Sequence, residues 1–198
     1  MMSIPAFAKL QRDIRACTIC AENLPLGPRP IFQISRTARI LIAGQAPGSK
    51  VHASGIPFDD ASGDRLRDWL GLTRETFFDA NCVAILPMGF CYPGTGKSGD
   101  LPPRPECAVA WREKILSELA AVKLTLVVGQ YAMAWHLGPR NNIWLKKNPW
   151  FARDVATGIA EADQIGYPIK KVLQRVRLSV LIASNLKCRI IGRNKTTS

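Results

Sequence analysis

Hydrophobic residues along this chain recur in two rhythms. Ile40 to Ala43, Cys82 to Leu86 (CVAIL) and Leu124 to Gly129 (LTLVVG) are short runs with almost no polar position, the pattern of strands covered on both faces. Helical spacing appears in Ala8 to Cys17, Gly63 to Leu70 (GDRLRDWL), Cys107 to Ala121 and Gln130 to Leu137. Leu66, Trp69 and Leu70 share one face of the second of these helices. A Pro-rich loop spans Leu24 to Pro30, and a longer loop rich in Gly and Pro spans Pro87 to Pro105. The alternation predicts one α/β domain, a parallel sheet wrapped by helices, with no internal repeat. The first strand then breaks off into Gly44, Gln45, Ala46, Pro47 and Gly48. Small residues and a proline at the carboxyl end of a parallel strand let the backbone bend and approach a ligand closely, and open α/β sheets bind ligands in that crevice.

A length of 198 residues with 47% hydrophobic content suits a single domain with a substantial core. No apolar run is long enough to span a membrane, and residues 1–10 lack the features of a signal peptide, so a cytoplasmic protein is expected. The net charge of +12 suggests a polyanionic partner, but its distribution is uneven. Eight Lys or Arg and no acid follow Asp163, so residues 1–163 carry 19 − 15 = +4. Six cysteines in a cytosolic-looking chain point to a metal or cluster before disulfides. Cys17 and Cys20 form a C-x2-C pair, and Cys91 and Cys107 enclose a loop that can fold the second pair back toward the first. An iron-sulfur cluster, zinc and four free thiols all fit that spacing. Cys82 and Cys188 read as packing residues.

The segment GQAPGSKVHASGIPF (Gly44 to Phe58), taken with the order and spacing of the four cysteines, resembles the iron-sulfur class of the uracil-DNA glycosylase superfamily over roughly residues 7 to 155. The resemblance implies a three-layer α/β/α fold with a central, mostly parallel, four-stranded sheet. It implies a structural four-iron four-sulfur (4Fe-4S) cluster on Cys17, Cys20, Cys91 and Cys107, and hydrolysis of the N-glycosidic bond of uracil or other deaminated bases in DNA. Gly44, Ala46, Pro47 and Gly48 would cradle an extruded base, with Phe58 beneath it as a stacking floor and Asn142 among the substrate contacts; the plain alternative for Phe58 is a core residue. Gln45 stands where the class usually has a glutamate; it can orient the attacking water but cannot take its proton. Asp59 and Asp60 are the nearest carboxylates, either for catalysis or to cap the next helix. His52 is a further candidate, against the reading of an ordinary surface histidine.

Two departures stand out. The asparagine that the class places four residues before its third cysteine is Pro87 here, and the His-Pro-Ser motif that precedes a segment like PRNNIWLKKNPWF is missing, together with the fourth strand before it. The fourth strand is therefore expected to be absent or replaced, and turnover to be impaired. The alternative is a DNA-binding protein that keeps the fold with little catalysis. Arg140, Lys146 and Lys147, interleaved with Trp144 and Trp150, are candidate phosphate contacts, or else a solvated helix start beside core tryptophans. The chain divides on this reading into a glycosylase-like domain, 1–155, and a divergent basic tail, 156–198. The tail carries the apolar run Leu178 to Ala183, which can cover an open sheet edge. A monomer acting on DNA, with no membrane association, is expected.

Overall fold

A computed structural model describes residues 2–97, 99–137, 180–184 and 187–191. Its first helix, α1, runs Ile4–Arg15, earlier than the apolar spacing suggests. The Ser3 side chain accepts from the Ala6 amide at the amino end, and a proline in the first turn costs no hydrogen bond there. Strand β1 (Ile40–Ala43) pairs in parallel with β2 (Val83–Ile85) on one side and with β5 (Leu124–Val128) on the other. Helices α2 (Ser49–Ser54), α3 (Ala61–Leu70) and α4 (Arg74–Phe78) fill the β1–β2 crossover. Periodicity over so few residues is weak, so α2 and α4 leave no clear mark in the sequence. The long loop after β2 holds a small hairpin, β3 (Thr95–Gly96) with β4 (Gly99–Asp100). A π-helical turn, Ala108–Arg112, leads into α5 (Glu113–Leu116), and α6 (Gln130–Leu137) follows β5.

The period of two along β1 sends its side chains into two cores. Ile40 and Ile42 pack with Leu66, Leu70, Phe77, Val83, Ile85, Leu124 and Leu126 on the side of α3 and α4. Leu41 packs on the other side with Phe7, Leu10 and Ile14 of α1 and with Ile115 of α5. These two cores make the three-layer α/β/α arrangement. Beyond the three parallel strands, the position next to β5 is taken by β6 (Val180–Ser184), which runs antiparallel with Leu124 opposite Ser184, and β7 (Lys187–Ile191) pairs antiparallel with β6. The sheet order is β2-β1-β5-β6-β7. A segment of the expected tail therefore covers the β5 edge, whose open backbone groups would otherwise invite another strand. No described helix is long and apolar enough to cross a membrane.

Candidate active site

The crevice forms where β1 ends. The Met88 and Gly89 amides donate to the Gly44 and Gln45 carbonyls at 2.9 Å each, extending the β1–β2 ladder past Ile85 and tying the Gly44–Gly48 turn to the segment after β2. Among the described residues the amides of Gln45, Ala46 and Gly48 make no hydrogen bond, so they are left to whatever fills the pocket. A pocket opens there, lined by Gly44, Gln45, Ala46, Pro47, Gly48, Phe58 and Asp60. Ile31, Val51, Pro57, Ser62, Ile85 and Pro87 complete its wall. Seven candidates from the sequence thus share one cavity; Ser62, Ile31 and Ile85 carried no signal because nothing local marks a hydroxyl or an aliphatic residue as pocket-lining.

Phe58 is held by its own backbone. Its φ of 57° is the only positive value at a non-glycine residue among those described, an arrangement that side chains other than glycine adopt at a cost. Its carbonyl faces Gly63 so closely that a Cβ there would lie 1.7 Å from the oxygen, and Arg67 Nη1 donates to the same oxygen at 3.3 Å. Its ring meets Phe77 edge-on, with centroids 6.3 Å apart. Phe58 therefore belongs both to the pocket and to the edge of the core, the two alternatives that its sequence context left open.

The two aspartates part company. Asp60 lines the pocket while capping α3, its Oδ1 accepting from the Gly63 amide at 2.9 Å and from the Ser62 hydroxyl at 2.5 Å. Asp59 does not line it; its carboxylate is paired with Arg74 at 2.8 Å. His52 lies on α2 with its ring 6.1 Å from that of Tyr92, also outside the pocket wall, and burial, followed by Arg29, lowers its pKa. Gln45 sits over Gly129, where a Cβ would fall 2.5 Å from its Cδ. Asn142, Arg140, Lys146 and Lys147 lie outside the described residues.

Cys20 and Cys91 are buried together with Leu24, and Cys107 is buried beside Phe90. Burial pushes the Cys91 thiol up to about 11 and Cys107 up to about 12. Cys20 is raised as well, by burial and then by the Glu106 carboxylate. Cys107 responds in addition to the charges of Cys20, Cys91 and Cys17, so the four thiols form one electrostatic group. N–H donors already point at two of them: Trp111 Nε1 to Cys17 at 3.3 Å and the Phe90 amide to Cys107 at 3.5 Å. Among the described residues no group of three or more His, Cys, Asp and Glu is placed to hold a metal ion. Cys82 lies apart, donating to Asp79 Oδ2 at 3.3 Å and packing against the α3–α4 core.

Pro87 contributes a carbonyl, as its position requires, but that carbonyl is engaged. The fully buried Arg112 donates through Nη1 to Pro87 at 2.9 Å and to Leu86 at 3.3 Å, and Nη2 reaches His136 Nε2 at 2.7 Å. A guanidinium only donates, so Nε2 accepts and the ring proton sits on Nδ1. Burial and then Arg112 lower the His136 pKa to about 4, leaving a neutral imidazole.

The family model described as Uracil DNA glycosylase superfamily matches residues 31–184, from the pocket wall to the end of β6. The chain belongs to the uracil DNA glycosylase superfamily.

Proposed function

We propose that this protein excises uracil, and with it other deaminated bases, from DNA by hydrolysing the N-glycosidic bond. The observation that carries the reading is the convergence in one pocket of the Gly44–Gly48 turn, with three unengaged amides, the Phe58 ring and one carboxylate, Asp60. An extruded base stacks on Phe58 and takes hydrogen bonds from the turn, at a cost of a few kcal/mol in lost stacking within the DNA. Water bonds to the anomeric carbon, and the electron pair of the broken bond goes to the base nitrogen. Gln45 orients that water. Asp60 faces the developing positive sugar and takes the proton, a role its Oδ2 can fill because only Oδ1 is committed to the α3 cap.

The four cysteines suit a structural 4Fe-4S cluster: four thiols in one electrostatic group, two of them accepting N–H hydrogen bonds of the kind that tune cluster sulfurs. A cluster assigns each thiolate its own iron and so spaces the sulfurs more widely than a single tetrahedral ion does. Cys17, Cys20, Cys91 and Cys107 would hold it, away from the pocket and outside the reaction. Arg140, Lys146 and Lys147 would supply phosphate contacts.

A second reading, a DNA-binding protein with little turnover, is favoured by Gln45 in place of a carboxylate and by the engaged Pro87 carbonyl. Single-turnover cleavage of a uracil-containing oligonucleotide separates the two. Abasic product that disappears with Asp60→Asn supports excision, whereas tight binding of the same oligonucleotide without product supports the binder.

A further inference from the structure

Arg112 is a buried cation that the reading above does not use. It is 0% exposed, and no carboxylate among the described residues pairs with it. Its Nε has no hydrogen-bond partner among the described residues. Its partners among the described residues are neutral: the Leu86 and Pro87 carbonyls, the imidazole of His136, and the Trp135 ring 4.8 Å from its Cζ. Taking a charge out of water with no counter-charge is unfavourable, and such an arrangement persists where the surrounding structure enforces it. The enforcing element is the π-helical turn Ala108–Arg112, whose extra residue per turn ends on Arg112; turns of this kind concentrate at functional sites.

One of the two carbonyls it holds, that of Pro87, belongs to a residue of the pocket wall. Pro87 lines the cavity beside Ile85, and on its other side the same segment is bonded to the Gly44–Gly48 turn through the Met88 and Gly89 amides. Arg112 itself is absent from the cavity lining. We infer that Arg112 is a positioning residue for base release: it fixes the wall at Pro87 and places behind it a positive charge that no carboxylate among the described residues compensates, where the departing base gathers negative charge. The inference rests on the glycosylase reading. When the glycosidic bond breaks, its electron pair passes to the base, and no histidine follows His136 in the sequence to meet it. A fixed cation in a water-excluded wall stabilises that anion without reorganising during the reaction. His136, with a pKa near 4, stays neutral at neutral pH and adds no competing charge.

The test varies the leaving group. Arg112→Gln keeps donors for the carbonyls but removes the charge, and Arg112→Lys keeps the charge. Single-turnover cleavage is measured on two oligonucleotides that differ only in carrying uracil or 5-fluorouracil, whose fluorine stabilises the departing anion. We expect Arg112→Gln to lose about 10²-fold on uracil and no more than about tenfold on 5-fluorouracil, with Arg112→Lys losing similar factors on both. Equal losses for Arg112→Gln on the two bases would mean a purely structural role and overturn the inference.

A second measurement needs neither turnover nor variants. A pocket that favours the anion binds free uracil more tightly as pH rises from 7 to 9 toward the ionisation of the free base. Affinity that stays flat in the native protein overturns the inference. Affinity that rises while uracil in DNA stays uncut supports the charged wall and overturns the glycosylase reading alone.

Discussion

The Phe58 ring lies against the backbone of Gly44, so that a Cβ at residue 44 would sit 3.3 Å from Phe58 Cζ. The end of β1 and the floor of the pocket are thus in direct contact, and a side chain at residue 44 would enter the space where the ring rests. Gly44→Ala should shift the ring by a few tenths of an ångström, lowering single-turnover cleavage about tenfold while changing stability by less than about 1 kcal/mol. Cleavage kinetics paired with urea denaturation distinguish this from general unfolding; a large stability loss with unchanged cleavage would contradict it.

Gly63→Ala should behave in the opposite way. Its Cβ would lie 1.7 Å from the Phe58 carbonyl oxygen, a backbone atom fixed by a positive φ and by Arg67. The clash cannot be relieved by rotating a side chain, so a loss of at least about 3 kcal/mol is expected, read as a lower urea midpoint.

If the four cysteines hold a cluster, protein purified without oxygen should show the broad visible absorption of sulfur-to-iron charge transfer, and Cys91→Ser or Cys107→Ser should remove it together with much of the stability. Colourless protein containing one zinc per chain would replace the cluster with a mononuclear site.

The His136 ring gives a pH dependence whose sign is fixed. Its folded pKa, lowered to about 4 from 6.5 by burial and then by Arg112, means that the unfolded chain binds a proton more readily. The stability from keeping this ring neutral is fully present above about pH 6.5 and is lost as pH falls toward 4, up to about 3 kcal/mol in all. His136→Gln should flatten this part of the stability curve, measured by denaturant titration at pH 7, 6 and 5.

Lys146→Ala with Lys147→Ala, both outside the described residues, should weaken binding to DNA of any sequence and reduce the slope of log affinity against log salt by up to about 2. An unchanged slope would remove both lysines from the phosphate contacts.

Much of the fold was legible in the residue pattern because its cause is local. Three short apolar runs can be satisfied only by strands covered on both faces, and the helical stretches between them supply the covering. The break at Gly44–Gly48 was equally visible, since small residues and a proline at a strand end have few other uses. The tertiary structure decided what depends on contacts distant in sequence. Asp59 and Asp60 are indistinguishable as neighbours in a chain, yet one is held by Arg74 and the other faces the pocket. The sequence left the run Leu178 to Ala183 either to cover the open sheet edge or to leave it exposed, and only the pairing of β6 with β5 decided between them. Arg112 carried no signal within the helical stretch Cys107 to Ala121, because periodicity assumes 3.6 residues per turn. One π turn shifts the helix faces, and the arginine enters the core behind the pocket, where its charge is not screened by water.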